Sequence, residues 1–397
     1  MRILMIAPQP FFQPRGTPFS VLHRLKALSR LGYKIDLLTY HLGEDVEIDG
    51  VTIHRIPKVP FVKRIAIGPS KVKIVVDLFL IVKTVQMLRK NKYELIHSHE
   101  EAGFWSAYCA RKFDVLHLYD MHSSLPQQLS NFQFTRSGFL KKLFAKLEAS
   151  TIDSAAAVIT ICPELHDYVK ALYAEKHNVL IENVADNSLV FKTEVATEEI
   201  RKIVKTNGEI TVLYAGTFEP YQGIDMLIDS SAKVIEKEPR TRFVLVGGKP
   251  EQVDSYKKKV ADLRLENHFA FTGSVPPEEV PVYIEHCDVL VSPRLQGNNT
   301  PLKIYSYLRS GKPIVATNHL THTQVLNCDV SVLTECTPEA FGRGVLKVVQ
   351  DQELAKRISA NAAQLAEEKY SYGAYLKKTE ALYSFLEQEL KNREQVN

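Results

Sequence analysis

The stretch SPRLQGNNTPLKIYSYLRSGKPIVAT, residues 292–317, decides the predicted fold. The apolar run before it, residues 287–291, predicts a short buried strand. Thr300 and Pro301 predict an N-cap followed by a proline in the first turn of a helix, and Gly311 predicts the end of that helix. The apolar residues 314–316 predict the next strand. A strand, a helix and a second strand in this order are typical of a parallel α/β sheet.

The predicted helix carries an unusual charge at its start. Lys303 lies in the first turn, where the positive end of the helix dipole normally favours a carboxylate. Arg294 lies shortly upstream, so two cations and free backbone N–H groups are predicted to face one pocket at the carboxyl end of a strand. This combination suits a phosphate or diphosphate. The segment by itself leaves a second interpretation open, in which Lys303 is a solvated surface lysine and Arg294 caps a neighbour.

Length and composition predict a soluble protein with two domains of ordinary size, since the chain has 397 residues, of which 45% are hydrophobic and 24% charged. The five cysteines are scattered and never spaced as C-x-x-C, so neither a disulfide framework nor a zinc site is indicated. Met1 and Arg2 lead directly into an apolar strand that ends at Pro8, which is too short for a signal peptide. We therefore expect a cytoplasmic protein that binds no metal.

The positive charge is concentrated in the first half of the chain. Residues 1–190 hold 24 Lys and Arg against 18 Asp and Glu, whereas the remaining residues hold 26 against 28. Two stretches, residues 58–73 and 136–147, interleave Lys and Arg with apolar residues, which suits the surface of an anionic membrane. Peripheral contact with the inner face of the membrane is one interpretation; solvated faces with a buried apolar stripe are the other. The excess is too small and local to predict a nucleic-acid-binding protein.

No transmembrane span is predicted. The most apolar window, residues 74–88, is interrupted by Asp77 and Lys83. It also falls short of the roughly 20 apolar residues that cross a bilayer. We therefore expect a core helix in this window.

The first half of the chain predicts a doubly wound α/β domain. An opening strand, residues 3–7, is followed by a loop, a helix that ends at Gly32, and a second strand, residues 35–39. This order implies a right-handed parallel crossover. Further short apolar strands are predicted at residues 51–56, 95–97, 115–118 and 157–161. Helical patterns separate several of them, as in Rossmann-like sheets.

A second domain of the same kind begins at residues 210–216 and continues through strands at residues 243–248 and 270–273. We place the boundary near residue 190, which divides the chain into domains 1–190 and 191–373. Residues 374–397 form a helical pattern without a further strand, and we expect this helix to pack back on the first domain. Two such domains are predicted to face a central cleft, because ligands of doubly wound sheets bind at the carboxyl ends of the strands.

Several segments together resemble the retaining GT-B glycosyltransferases of the family-four group. In the second half these are TPLKIYSYLRSGKPIVAT, YAGTFEPYQGIDML, FVLVGG and FAFTGSVPPEEVPVYIEHCDVLVSP. In the first half PRGTPFSVLHRLKALSRLGYKIDLLTY, ELIHSHE and LYDMHSS follow in the expected order. The resemblance covers essentially the whole chain. It implies a GT-B fold, with the acceptor held by the N-terminal domain and the nucleotide-sugar by the C-terminal domain.

The resemblance also implies an activity. A sugar would pass from a nucleotide-sugar, UDP-linked in many members, to a glycan or lipid-linked acceptor, with retention of anomeric configuration and without a metal or other cofactor. Such transfer serves polysaccharide or glycolipid biosynthesis. The implied catalytic residues are His122, Lys303 and Arg294. The implied donor contacts in the first domain are Arg15, Gly16 and Thr17. Those in the second domain are Gly216, Thr217, Glu219, Gln222, Gly247, Gly273, Ser274, Val275, Asn298, Asn299, Thr300, Pro301, Leu302 and Ser306.

The chain departs from the family pattern at four donor contacts. Two glutamates usually occupy the positions of Asn298 and Ser306, and an arginine and a lysine usually occupy those of Thr217 and Gln222. Two hypotheses follow. In one, an active enzyme binds its donor through Arg294, Lys303 and helix-end amides, with Glu219 or Ser306 at the ribose or sugar. In the other, the chain is a catalytically silent binding subunit.

In the family's mechanism the leaving phosphate itself deprotonates the acceptor, so His122 is expected to orient a sugar hydroxyl. The alternative for His122 is a histidine bonded to backbone at a strand end. His97 and His99 are interpreted as structural or cleft-lining, because too few further ligands lie nearby in sequence for a metal. Glu100 and Glu101 are candidate acceptor contacts, one of which could act as a general base.

A nicotinamide dehydrogenase is disfavoured, because neither half shows G-x-G-x-x-G after its first strand. A nucleotide-sugar epimerase or phosphorylase on the same two-domain frame remains an alternative.

Overall fold

A computed structural model describes residues 1–13, 16–65, 70–126, 138–184, 197–204 and 208–396. The chain divides into two compact units. The first comprises Met1–Glu182 and Tyr375–Asn397, and the second comprises Asn183–Ala374. The division therefore falls at Glu182, a few residues before the boundary predicted near residue 190, which itself lies in a segment outside the described residues.

The first unit is built on a parallel sheet of seven strands in the order β3-β2-β1-β4-β5-β6-β7. The strands are β1 Arg2–Ala7, β2 Lys34–Thr39, β3 Val51–Arg55, β4 Leu95–His99, β5 Leu116–Met121, β6 Ala157–Thr160 and β7 Asn178–Leu180. Strand β1 lies between β2 and β4, with Ile3 opposite both Ile35 and Leu95. Strands β4 and β5 are buried along their whole length, as expected for a sheet covered on both faces.

Helices connect these strands. They are α1 Gly16–Arg30, α2 Lys71–Lys90, α3 Ala102–Phe113, α4 Gly138–Ser154 and α5 Pro163–Leu172. The hydroxyl of Ser70 accepts a hydrogen bond from the Lys73 N–H and caps α2. The prediction of a core helix at residues 74–88 is only half correct. Val76 and Leu80 are buried, but Ile74 and Leu78 are 66% and 61% exposed, because only one face of α2 packs on the sheet.

The second unit contains a parallel sheet of six strands in the order β10-β9-β8-β11-β12-β13. The strands are β8 Ile210–Ala215, β9 Thr241–Val246, β10 Phe269–Gly273, β11 Val289–Ser292, β12 Ile314–Thr317 and β13 Val332–Thr334. The predicted strand–helix–strand unit around residue 300 is confirmed, since β11 and β12 pair in parallel with Leu290 opposite Ile314.

The helices of the second unit cover both faces of this sheet. They are α6 Thr197–Val204, α7 Ile224–Lys237, α8 Pro250–Asp262, α9 Val280–His286, α10 Leu302–Arg309, α11 Leu320–Thr323, α12 Pro338–Gln350 and α13 Gln352–Tyr370, with single 3₁₀ turns at Pro220–Gln222 and Glu266–His268. Two apolar cores result, one containing Leu213 and Ile304 and the other Val212 and Phe341. Alternate residues of β8 therefore enter opposite cores.

The last helix, α14 Tyr372–Val396, lies against the first unit. The Tyr33 hydroxyl donates to Glu387 Oε1 at 3.0 Å, and the rings of His177 and Phe385 stack at 3.9 Å between centroids. Tyr383 is fully buried. Helix α14 thus packs as part of the first unit.

Candidate functional site

The loops that follow β8, β9, β10 and β11 lie at one edge of the second sheet, because the strands are parallel. These loops contain most of the predicted donor contacts. The Gly216 N–H donates to the Val246 carbonyl and the Gly247 N–H donates to the Gly273 carbonyl, each at 2.9 Å. The sheet edge therefore continues into a set of bonded loops.

Gly247 allows two of these loops to touch. It adopts a φ of 122°, and a Cβ at this position would lie 1.9 Å from the Gly216 carbonyl oxygen. Only glycine fits such an approach. The loops after β8 and β11 are joined as well, since the Leu295 N–H donates to the Tyr221 carbonyl at 2.9 Å. The backbone around Gly216 is consequently fixed from two sides.

The helix α10 begins later than predicted. Thr300 as N-cap and Pro301 as first helical residue is wrong, since Pro301 has a ψ of 134° and is itself the N-cap of a helix that starts at Leu302. A residue that precedes proline avoids the helical region, which agrees with the position of Thr300 outside the helix. Its buried hydroxyl has no hydrogen-bond partner among the described residues. Gly311, at φ 71°, follows the C-cap as predicted.

Lys303 lies in the first turn of α10, and its ammonium group is buried. The Nζ atom lies 3.7 Å from the centroid of the Tyr214 ring and finds no hydrogen-bond partner in the described part of the chain. A Cβ built on Gly216 would lie 3.2 Å from this nitrogen, which places the ammonium beneath the Gly216 loop. The interpretation of Lys303 as a solvated surface lysine is therefore wrong.

Burial sets the electrostatics of this group. It lowers the pKa of Lys303 well below 10.5, and the nearby Arg294 guanidinium lowers it further. Burial also lowers the pKa of Arg294. The two cations predicted to share one pocket thus lie close enough to repel each other. A bound anion would offset both the desolvation of the two cations and their mutual repulsion.

Arg294 is held by its neighbours. Its Nε donates to the Gln296 carbonyl at 2.7 Å, and its guanidinium carbon lies 5.2 Å from the centroid of the Tyr221 ring. The interpretation that Arg294 caps a neighbour is correct for this one hydrogen bond. The same turn brings Gly297 against the guanidinium, since a Cβ on that glycine would lie 2.4 Å from Nη2.

The remaining predicted donor residues of this unit have mixed surroundings. Glu219 pairs with Lys249 at 3.3 Å in a largely exposed position, and the Thr217 carbonyl accepts a hydrogen bond from the Tyr214 hydroxyl at 2.7 Å. Gln222 is buried, and its Oε1 has no partner among the described residues. Ser274 donates to the Gly248 carbonyl at 3.0 Å.

Two further predicted residues lie before α10 and within it. The Asn298 carbonyl accepts from the Gln324 side chain at 2.5 Å. Ser306 follows Lys303 by one turn of α10 and therefore faces the same side of the helix. Val275, Asn299 and Leu302 are half-buried, and Pro301 is buried.

In the first unit, His122 directly follows β5 and His99 ends β4. The His99 Nδ1 and His122 Nε2 atoms lie 2.9 Å apart, so these rings share a hydrogen bond. The alternative prediction for His122, a histidine bonded to backbone, does not include this side-chain partner. Asp120 lies beside the pair, with its Oδ1 3.4 Å from His122 Nε2 and its Oδ2 3.6 Å from His99 Nδ1.

Asp120 is a buried carboxylate with several cationic or polar neighbours. Its Oδ2 accepts from Arg24 Nε at 3.0 Å and lies 3.2 Å from His97 Nε2. Burial alone would raise the pKa of Asp120, but Arg24 and His122 lower it well below 3.8. Burial lowers the pKa of both His97 and His99. Beside His122, the cluster therefore contains an ionised aspartate, its paired arginine and two neutral histidines, His97 and His99.

The nitrogen and oxygen atoms of His97, His99 and Asp120 approach within 4.8 Å of one another, close enough to bind a metal ion. Their other partners disfavour a cation. Arg24 already neutralises Asp120, and His97 Nδ1 is bonded to the Tyr383 hydroxyl at 2.7 Å. An added divalent ion would lie next to the guanidinium, at a Coulombic cost. The hydrogen bonds of the cluster are better suited to holding the histidine rings in one orientation.

The loop after β4 lies close to the start of α1. The Thr17 hydroxyl donates to Glu100 Oε1 at 3.3 Å. Glu100 adopts a positive φ of 49°, a conformation that is uncommon for residues other than glycine. Glu101 instead forms an ion pair with Lys73. Gly16 is exposed, and Arg15 lies outside the described residues.

Several residues of these clusters were not predicted from the sequence. Tyr214 and Tyr221 support the two cations, and Lys249 pairs with Glu219. Asp120 could have been found from the sequence, because a carboxylate inside the apolar strand LHLYDM requires a buried partner. The contact of Tyr383 could not have been found in this way, since it lies 286 residues from His97.

Comparison with known proteins identifies the family. Residues 195–365 match the model for glycosyl transferases group 1, and residues 15–183 match the model for the glycosyl transferase 4-like domain. Mannosylfructose-phosphate synthase of Agrobacterium fabrum is 27% identical over 331 residues, which cover 77% of this chain and 71% of that protein.

Solved structures agree on the fold. Sucrose-phosphate synthase from Thermosynechococcus elongatus superposes with a TM-score of 0.77 at 18% identity and covers 98% of this chain and 99% of its own. Anabaena Alr3699/HepE, solved in complex with UDP, has a TM-score of 0.74 at 17% identity, and the match covers 97% of this chain and 100% of that one. Both Rossmann-like domains have counterparts in these proteins. The chain is thus a member of the group 1 glycosyltransferases and has the GT-B fold.

Proposed function

We propose that the protein is a retaining, metal-independent hexosyltransferase that moves a sugar from a UDP-sugar to a glycan or lipid-linked acceptor. The observation that carries the proposal is the buried ammonium of Lys303, which has no hydrogen-bond partner among the described residues. A buried charge without a counter-charge is costly, and enzymes keep one where a ligand supplies the opposite charge. The complex of the Anabaena structure with UDP supports the choice of nucleotide.

The donor diphosphate is assigned to the start of α10. Lys303 and Arg294 would neutralise its oxygens, and the free N–H groups of the first helical turn would add hydrogen bonds. Gly216 and Gly247 would let the backbone approach the phosphates. Gly273, Ser274 and Val275 would contact the base. These cations replace the arginine and lysine that the family places at Thr217 and Gln222.

The reaction requires charge stabilisation on the leaving group. The bond between the anomeric carbon and the diphosphate oxygen breaks while the acceptor oxygen bonds to the same face of that carbon. The acceptor proton passes to the departing phosphate, so no base from the protein is needed. Lys303 and Arg294 stabilise the negative charge that develops on the diphosphate. His122, held by His99, orients a sugar hydroxyl.

A silent binding subunit is the second candidate, and the neutral residues Asn298 and Ser306 favour it. The discriminating experiment is a screen of nucleotide-sugars for thermal stabilisation, followed by an assay of donor consumption with a membrane extract as acceptor. An enzyme consumes the stabilising donor only when extract is present, and the product retains the anomeric configuration by NMR. An epimerase would change the donor without extract. A protein that no nucleotide or nucleotide-sugar stabilises would rule out the proposal.

Peripheral contact with an anionic membrane is part of the proposal, at its inner face if the protein is cytoplasmic. None of the described helices is long and apolar enough to cross a bilayer. Two helices of the first unit instead expose apolar side chains: Ile74 and Leu78 on α2, and Phe139 and Leu143 on α4. Helix α3 contacts both α2 and α4. The neighbouring lysines of α4, Lys142 and Lys146, are exposed and suit anionic headgroups.

Vesicle sedimentation tests this contact. The double variant Phe139→Ser and Leu143→Ser should lose binding to vesicles that contain phosphatidylglycerol, while neutral vesicles should bind neither protein. Leu263→Ser, which alters an exposed leucine of the second unit, serves as the matched control and should bind as the wild type does. Equal binding by the double variant and the control would refute the assigned surface. That outcome would not affect the proposed donor site.

A further inference from the structure

Tyr383 of the last helix, α14, reaches the buried cluster of the first unit. Its side chain is fully buried, and its hydroxyl lies 2.7 Å from His97 Nδ1. The ring also packs 5.1 Å from the centroid of Tyr33. The residue therefore has both an apolar packing role and one directed polar contact. The polar contact is the one with chemical consequences.

The proton positions along this contact follow from Asp120. An ionised carboxylate only accepts hydrogen bonds, so His97 must donate to Asp120 Oδ2 from Nε2, across 3.2 Å. Burial lowers the pKa of His97, which is therefore neutral and carries no second proton. Its Nδ1 is then an acceptor. Tyr383 must donate its hydroxyl proton to that nitrogen.

The same carboxylate faces the proposed substrate-orienting histidine. Asp120 Oδ1 lies 3.4 Å from His122 Nε2, and His122 in turn lies 2.9 Å from His99 Nδ1. Arg24 holds Oδ2 from another side at 3.0 Å. The orientation of Asp120, which lies beside His122, is thus supported by Arg24 and by His97, and the His97 ring is held from its other side by Tyr383.

We propose that Tyr383 is a positioning residue of the active site, acting through His97 and Asp120 on His122. This inference rests on the proposed glycosyl transfer, and it assigns the end of the chain a role in the reaction besides packing. Without the hydroxyl, His97 Nδ1 would be a buried acceptor without a donor. The His97 ring would then lose one of its two side-chain partners and rotate more freely, and Asp120 would lose part of the support for its orientation.

Tyr383→Phe removes only the hydroxyl. We expect kcat to fall about tenfold while the KM for the donor changes less than about twofold, because the diphosphate is assigned to the second unit. Tyr33→Phe is the matched control. It removes a hydroxyl that bonds α14 through Glu387 at 3.0 Å but has no place in the path to His122. Its kcat should stay within about twofold of the wild-type value.

A second readout does not depend on turnover. The ¹⁵N shifts of the His97 ring should report a protonated Nε2 and a hydrogen-bonded Nδ1 in the wild type and in Tyr33→Phe, and an Nδ1 without its hydrogen bond in Tyr383→Phe. His97→Asn provides a variant that keeps Tyr383 and breaks the same path, and its kcat should fall as much. This variant decides the matter if Tyr383→Phe does not fold.

The outcomes separate the two proposals. A wild-type protein that consumes no donor refutes the glycosyl transfer, whereas the ¹⁵N shifts still decide the proton arrangement. An active wild type with normal kcat in Tyr383→Phe or in His97→Asn overturns the positioning role. So does a kcat loss in Tyr33→Phe equal to that in Tyr383→Phe, because the hydroxyl would then act only by anchoring α14.

Discussion

The ammonium nitrogen of Lys303 lies 3.7 Å from the centroid of the Tyr214 ring and has no hydrogen-bond partner in the described part of the chain. The face of an aromatic ring attracts a cation, but it replaces a carboxylate or phosphate only in part. The ligand-free protein therefore holds a cation at a cost that a bound diphosphate would remove. Several consequences of this arrangement can be measured.

Lys303→Met is expected to stabilise the ligand-free protein while weakening donor binding. A buried polar group without a partner costs about 1 to 3 kcal/mol, and the loss of the ring contact offsets part of the gain. We expect a net gain of about 1 kcal/mol in the free energy of unfolding of the second unit, measured by urea titration. Lys347→Met, an exposed lysine on α12, should change neither quantity. A destabilised Lys303→Met protein would show that the ammonium has a partner.

Binding of a diphosphate is expected to take up protons. Burial first, and then Arg294, lower the pKa of Lys303 below 10.5, and a neighbouring diphosphate would raise it again. The complex then binds more protons than the free protein over the pH range between these two values. Calorimetric titration with UDP in buffers of different ionisation enthalpy measures the uptake. Buffer-independent heats in the wild type would contradict the assignment.

The same pKa gives a stability prediction with a defined sign. In the ligand-free protein the unfolded chain binds the Lys303 proton up to pH 10.5, whereas the folded chain loses it at lower pH. Stability should therefore gain a rising contribution as pH increases from the folded pKa toward 10.5. Subtracting the Lys303→Met curve isolates this contribution. A difference that stays constant with pH would argue against a shifted lysine.

Gly216→Ala is expected to weaken donor binding more than its cost in stability explains. Gly216 adopts a φ of 152°, and an added Cβ would lie 3.2 Å from Lys303 Nζ and 3.0 Å from the Tyr214 hydroxyl oxygen. Gly311→Ala is the control, since it has a φ of 71° with nothing within 4 Å of the added Cβ. Both should lose about 1 to 2 kcal/mol of stability, because both force a left-handed conformation on alanine. Only Gly216→Ala should raise the Kd for the donor.

Asp120→Asn is expected to destabilise the first unit by about 3 to 5 kcal/mol at neutral pH, because the buried Arg24 loses its counter-charge. Burial would raise the pKa of Asp120, but Arg24 and His122 bring it well below 3.8. The stabilisation is therefore complete above pH 3.8 and is lost as pH falls through the folded pKa. Unfolding measured from pH 7 downward should show the two proteins converging only in strong acid.

The exposed ion pair between Asp45 and Arg55, 2.7 Å apart, supplies the control for this comparison. Asp45→Asn should cost less than about 1 kcal/mol, as surface pairs usually do. A similar small cost for Asp120→Asn would mean that Asp120 is not the charge that holds Arg24.

The sequence predicted the architecture well where the pattern is local. Short apolar runs bounded by glycine and proline define β8, β11 and β12, and Gly311 marks the end of α10. The predicted start of α10 was wrong by one residue, because the extended Pro301 delays the helix and no local signal separates a proline N-cap from a proline in the first turn.

Burial was harder to predict than position. Lys303 was placed correctly in the first turn, yet only the packing of Tyr214 and Gly216 around it shows that its charge is buried. The reverse holds for α2, where an apolar window predicted a core helix and one face is exposed. The contact between Tyr383 and His97 joins residues 286 positions apart, so no periodicity could indicate it.

The most direct test of the assigned diphosphate site is the affinity for nucleotide-sugars, measured by calorimetry on the wild type, Lys303→Met and Lys347→Met. We predict that at least one member of a panel of UDP-, GDP- and ADP-sugars binds the wild type and Lys347→Met with the same Kd. It should bind Lys303→Met about tenfold or more weakly, because one charge-assisted contact is lost. Equal affinities for all three proteins, or no binding by the wild type, would contradict this assignment.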